Sequence, residues 1–382
     1  LCEELLGKDV LWIDICKPGY TLARICFEKM NAYKEETGKG AIGIMPLYAP
    51  EELVYATGRL PMGIWGGQKA ISKARAYLPP FACSIMQQVM ELQCSGAYDE
   101  LEAVVFSVPC DTLKCLSQKW KGTSPVITFT HPQNRGLESA NLFLVEEYKI
   151  VKDKLEQIVG APITNAAIED AITVYNENRA VMREFVKTAA DYPQVVDPVA
   201  RHAVFKSRMF MDKAKHTVLV KELIEEIKKS EIQPWTGKKV ILTGILAEPN
   251  EVLDIFKENG LAIVADDLAQ ESRQIRVDVP SGEAAPLYRL AKVWQNMYGC
   301  SVATDTKKIR GKMLMDMKKQ TGAESVIVCM MKFCDPEEWD YPVYYKQFED
   351  AGVKNLMIEI DQEANSFEQI RTRVQSFVET IG

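Results

Sequence analysis

Apolar residues fall in seven short, nearly continuous runs that gather into two groups. The first group is AIGIMP (41–46), AVVFSVP (103–109) and PVITFT (125–130); the second is KVILTG (239–244), LAIVA (261–265), SVIVCMM (325–331) and NLMIEI (355–360). Within each group the runs alternate with helical patterns of about ten to fifteen residues, the signature of parallel α/β units. Runs that are continuously apolar suit strands covered on both faces by helices. Between the groups, Leu142, Val145, Tyr148, Val151, Leu155 and Ile158 recur at three and four, and similar spacing continues through IEDAITVYNENRAVMREFVK. The pattern predicts an α/β chain with an N-terminal helical arm (1–36), a first α/β domain (37–136), a helical segment (137–235) and a second α/β domain (236–382). Pro234 and Gly237 in IQPWTGKK mark the last junction.

Local signals place some helix ends. In YAPEELVYATGRLP, Pro50 suits the first helical position, Glu51 and Glu52 suit the positive end of the dipole, and Gly58 can close the helix. Ser366 and Gln369 are spaced as a capping box for a final helix.

Charge narrows the partners. With 46 Lys and Arg against 53 Asp and Glu, a net charge of -7 and no basic block, the chain has nothing to neutralise a phosphate backbone. Nucleic acid is not an expected partner. LCEELLGKDVLWIDICKPGY carries acids inside its apolar part and does not read as a signal peptide, and no apolar run reaches the length of a membrane span. The expected location is the cytoplasm, where cysteines stay reduced and clusters of them point to metal binding or catalysis.

Candidate chemistry rests on the ten cysteines. GKGAIG (38–43) matches G-x-G-x-x-G but leads into a strand instead of opening a helix, and no phosphate-binding G-x-x-x-x-G-K-[ST] occurs, so any ATP used is expected on another protein. His131, His202 and His216 stand in unrelated contexts without zinc-site spacing. By contrast, AVVFSVPCDTLKC (103–115) and SVIVCMMKFCDP (325–336) each run from an apolar strand into Cys-Asp and a helix start. Aligned at the strand end, Cys110 pairs with Cys334, leaving Cys115 on a helix and Cys329 inside a strand. Ligands of open α/β sheets bind beyond the carboxyl ends of the strands. Asp111 and Asp335 fit as N-caps, and a thiolate there is favoured by the helix dipole. Cys83, in PPFACSIMQQVMELQ, also opens a helix after a proline-broken loop. Cys2, Cys16, Cys26, Cys94, Cys115, Cys300 and Cys329 read as small buried hydrophobes. Three thiolates without a histidine suit an iron-sulfur cluster with one open position, and a structural zinc on the same residues is the alternative.

GIMPLYAPEELVYATGRLPMGIWGG, FACSIMQQVMELQ, VPCDTLKCLSQKW, HPQNRGLE, VADDLAQESRQIR and MMKFCDPEEWDYP together resemble the 2-hydroxyacyl-CoA dehydratases, in particular their β subunits. The resemblance implies two Rossmann-like domains and one [4Fe-4S] cluster held by the cysteines of the CS, CD and FCD motifs, which here are Cys83, Cys110 and Cys334. It implies an α subunit as partner, a separate ATP-hydrolysing iron-sulfur activator that supplies one electron, and elimination of water from an acyl-CoA through a ketyl radical. VPCDTLKCLSQKWKGTSPVI with THPQNRGLE points within the family to lactoyl-CoA as substrate, with 2-hydroxyisocaproyl-CoA, 2-hydroxyglutaryl-CoA and an aryl-CoA reductase role as alternatives. Asp111, Asp335, Lys332 and Trp65 are expected around the cluster, and the base and CoA contacts mainly on the partner.

Overall fold

The computed structural model describes residues 22–364 and 366–381. After helix α1 (Leu22–Thr37), the first half carries β1 (Ala41–Ile44), α2 (Glu51–Tyr55), β2 (Leu60–Gly63), α3 (Ser84–Cys94), β3 (Ala103–Ser107), α4 (Asp111–Lys119) and β4 (Val126–Phe129). Four helices follow: α5 (Glu138–Val159), α6 (Asn165–Asp191), α7 (Pro198–Ser207) and α8 (Lys213–Lys228). The second half carries β5 (Lys238–Gly244), α9 (Asn250–Glu258), β6 (Leu261–Leu268), α10 (Pro286–Asn296), α11 (Arg310–Thr321), β7 (Ser325–Met331), α12 (Asp335–Asp350), β8 (Asn355–Ile360) and α13 (Glu368–Thr380).

Both sheets are four-stranded and parallel, with orders β2-β1-β3-β4 and β6-β5-β7-β8. The two halves therefore repeat one Rossmann-like topology. In each, the chain reverses its direction of travel between the first and third strands, and the loops beyond those strands open a crevice. Every residue of β1, β3, β6 and β7 is buried, as the continuous apolar runs require, and each fully buried Val, Ile, Leu or Phe contributes about 1.5–3 kcal/mol. β2 has no apolar run ahead of it in the sequence because Pro61 interrupts it. A proline lacks the ladder N–H and is tolerated here because β2 is an edge strand.

The helical segment spans both sheets. α6 packs on α8 and β6, and α5 packs beside β4 and α10. Asp197 and Asp212 cap α7 and α8 by accepting backbone N–H bonds, Thr164 does so for α6, and Gly160 closes α5 in the left-handed region. The buried stripe of α5 runs through Leu144, Tyr148, Val151 and Leu155, while Leu142 is 52% exposed. The expected start at Leu142 is off by one helical step of the stripe.

Four residues expected at helix starts sit one position away from the expected place. Pro50 is the N-cap of α2 and Glu51 takes the first helical position. α13 begins at Glu368 with Phe367 as N-cap, so Ser366 lies one residue too early to bond the first-turn amides and no capping box forms. At α4 and α12 the N-caps are Cys110 and Cys334, with Asp111 and Asp335 one position inside. Cys2 and Cys16 and most of the expected N-terminal arm lie outside the described residues.

Candidate functional site

Cys110 stands three residues beyond β3 and Cys334 three beyond β7, topologically equivalent places in the two sheets. Cys83 is the N-cap of α3, so all three candidate cysteines hold the same position at three different helix starts. Each is only partly accessible. They also feel one another: Cys110 raises the thiol pKa of Cys83, and both Cys83 and Cys110 raise that of Cys334. The fold thus brings together residues separated by more than two hundred positions.

The two halves are joined at this point. Ser84, next to Cys83, donates through Oγ to the sulfur of Met331 at the end of β7 (3.1 Å) and accepts from the Gln362 N–H beyond β8 (3.1 Å). Gly66 makes that approach possible. A Cβ there would lie 2.6 Å from Gln362 Oε1 and 2.9 Å from Gln88 Cβ, which accounts for the glycine in GIWGG. Phe333, just before Cys334, has φ +62°, a conformation that costs a bulky residue about 1–3 kcal/mol. Its N–H is held by Glu338 Oε1 at 3.0 Å.

Burial dominates the electrostatics. It lifts the Cys83 thiol to about 12, lifts Cys110, and puts Cys334 well above its ordinary value. The amides of Met86, Thr112, Leu113 and Glu337 pull the other way at the helix starts but do not prevail. Burial thus outweighs the expected pull of the helix dipole at all three thiols. Asp335 is exposed yet close enough to raise both Cys83 and Cys110.

The remaining predicted residues divide. Asp111 is exposed and pairs with Lys114. Lys332 pairs with Asp361 (3.5 Å) and Glu359 (3.9 Å). Trp65 is a core residue whose carbonyl accepts from Tyr98 Oη at 3.2 Å. Tyr48 Oη meets Cys300 Sγ at 3.3 Å. Cys329 is fully buried in β7, and Cys115 is exposed on α4.

Sequence reading misses the charge network behind Cys334. Glu337, fully buried, accepts from Ser301 Oγ (2.8 Å) and faces Arg310 (2.8 Å) and Arg273 (3.3 Å), while Arg273 and Arg310 also pair with Asp267 (3.1 Å each). Glu337 is the strongest charge acting on the Cys334 thiol. The signal was present in VADDLAQESRQIR, which supplies Asp267 and Arg273, but nothing in the spacing says that these side chains are buried. All three histidines are buried too. His202 bridges Glu248 and Glu271, at 2.9 Å each, and its pKa is raised; burial drops His131 and His216 to about 3. No helix among the described residues is long and apolar enough to cross a membrane.

A family model described as "2-hydroxyglutaryl-CoA dehydratase, D-component" matches residues 46–381. The chain is 73% identical over 353 residues to the lactoyl-CoA dehydratase subunit beta of Anaerotignum propionicum, covering 92% of this chain and 94% of that one. It is 45% identical over 352 residues to the (R)-phenyllactyl-CoA dehydratase beta subunit of Clostridium sporogenes (91% and 94% covered), and 38% identical over 372 residues to the (R)-2-hydroxyglutaryl-CoA dehydratase subunit beta of Acidaminococcus fermentans (93% and 98% covered). The repeated topology, the three helix-start cysteines and this full-length similarity agree: the chain belongs to the 2-hydroxyglutaryl-CoA dehydratase D-component family and is a component of a 2-hydroxyacyl-CoA dehydratase, a hydro-lyase.

Proposed function

We propose that this chain is the iron-sulfur β subunit of an (R)-2-hydroxyacyl-CoA dehydratase that converts lactoyl-CoA to acryloyl-CoA, with one [4Fe-4S] cluster on Cys83, Cys110 and Cys334. The carrying observation is the convergence of three half-accessible thiols, each an N-cap and each raised by burial, from helix starts in both halves. A cationic inorganic core among them reverses that balance, because coordination deprotonates a thiol outright.

When bound, the cluster supplies the low-potential one-electron chemistry that water elimination through a substrate ketyl radical requires. The chain's own contribution is to position and shield. The three cysteines cap helix starts drawn from both halves, Ser84 and Gly66 hold the halves together beside Cys83, and the Glu337, Arg273 and Arg310 network fixes the charge behind Cys334. Lactoyl-CoA is favoured by the 73% identity to a relative with that substrate in its name. An α subunit as partner is supported by the naming of the relatives as beta subunits, and Phe81 (69% exposed) and Trp339 (83% exposed), near Cys83 and Cys334 in the chain, offer apolar contacts for it. An ATP-dependent iron-sulfur activator as electron source completes the reading, in the cytoplasm.

Iron and acid-labile sulfide analysis of anaerobically purified protein tests the cluster, and colourless, zinc-loaded, sulfide-free protein refutes it. Cys334→Ser is expected to lose iron and sulfide while Cys329→Ser keeps both; equal loss overturns the strand-end assignment. With partner and activator added, turnover of lactoyl-CoA should exceed that of 2-hydroxyisocaproyl-CoA and 2-hydroxyglutaryl-CoA.

A further inference from the structure

A second feature lies beyond the first strand, and none of the three candidate ligands lines it. A partly open cavity of about 50 Å³ lies between the loop after β1 and helices α2, α5, α6 and α10. Two acids of α2, Glu51 and Glu52, form part of its wall with Arg179 and Arg208. All four are buried, as is Lys213 beside them.

The charges in this region do not cancel. Glu52 pairs with Arg179, and Glu51 is taken by Lys213 at 2.9 Å. Arg208 is left with Glu51 at the longer distance of 3.7 Å and otherwise donates from Nε to the neutral Asn178 (2.8 Å). Three cations thus face two carboxylates. The nearest other acids are committed: half-exposed Asp212 caps α8, and Asp278 pairs with Arg183 on the surface. A buried charge in excess costs several kcal/mol unless a counter-charge joins it. Burial and the neighbouring Arg208 hold Lys213 down to about 8, in keeping with a surplus of positive charge.

Donors without partners face the same region. Arg179 Nε has none, and the backbone of Tyr48 faces His131 without bringing either ring nitrogen into hydrogen-bond geometry, although both residues are wall residues and more than nine-tenths buried. Opposite them the wall is apolar, formed by Leu290, Val293, Trp294 and Met297. Arg208, short of a close carboxylate, and the unpartnered Arg179 Nε share this region with an apolar wall, a combination that suits a small carboxylate with at most a short tail. A site this small has room for a few atoms only. We propose that this cavity binds a small monocarboxylate, the size of formate or acetate, with Arg208 as its counter-charge and the α10 side chains against its carbon.

Equilibrium dialysis of the purified protein against labelled acetate, in a buffer whose own anion is bulky, tests this. The expected result is one saturable acetate per chain, displaced by formate and not by trimethylacetate. Arg208→Met should weaken binding at least about tenfold, the scale of one lost charge-assisted contact. Val293→Phe fills the cavity from the apolar side, leaves every charge in place and should abolish binding in protein that keeps its circular dichroism. Absence of saturable binding in the wild type, retention of it in Val293→Phe, or equal binding of trimethylacetate overturns the proposal.

Discussion

The two Cys-Asp helix starts occupy the same place in two copies of one topology, yet they are built differently. Behind Cys110 lies an ordinary surface: Asp111 and Lys114 are exposed and pair with each other, and Pro109 leads in with a backbone angle its ring already favours. Behind Cys334 lies a buried network, and Phe333 leads in through a strained backbone. Topology therefore dictates where a strand-end cysteine can stand, while the charges set behind it belong to one half alone. The charge environment of the candidate site is asymmetric, and its buried network lies in the second half.

That contrast is open to test, beginning with its largest expected effect. Glu337→Ala strips Arg273 and Arg310 of their shared carboxylate and should cost about 3–5 kcal/mol in denaturant unfolding, whereas Asp111→Ala at the equivalent helix start should cost less than about 1 kcal/mol, the scale of an exposed pair. Similar losses in the two variants would erase the asymmetry.

The next effect depends on pH. His202, also tied to the second half through Glu248 and Glu271, has a folded pKa raised above its ordinary 6.5. Its contribution to stability is full below that value and is lost as pH rises through the folded pKa. The wild type should lose melting temperature relative to His202→Gln between pH 6.5 and 9, below the ordinary thiol pKa of 9.0. Parallel curves for the two proteins would show that the imidazole is not held protonated. The smallest effect is at the lead-in residue. Phe333→Gly relieves the positive φ and should stabilise the fold by up to about 1 kcal/mol, and a destabilised variant would show that contacts of the ring outweigh the strain.

Much of the fold was legible because its signals are local. Continuous apolar runs located seven of the eight strands, and the periodicity of three and four located the central helices, since both patterns record burial of a face by neighbours along the same segment. β2 escaped because Pro61 mimics a loop, and the final capping box failed because a cap depends on where the helix actually starts. In the site, the Cys-Asp steps after apolar strands singled out Cys110 and Cys334 and set Cys329 in the strand. Lys332 was expected near the cluster beside the FCD motif and Trp65 through the GIWGG motif, whereas tertiary packing pairs Lys332 with Asp361 and buries Trp65 in the core.

By itself, then, the sequence determined the class of fold, the two sheet-forming halves and the cysteines that end or open elements, because each follows from the period and composition of a short segment. Only the tertiary structure decided that three helix starts come near one another, that burial raises their thiols against the pull of the helix starts, and that Glu51, Glu52, Glu337 and Asp267 are interior charges instead of surface ones. Desolvation and ion pairing depend on what arrives from distant segments, and no local pattern encodes those distances.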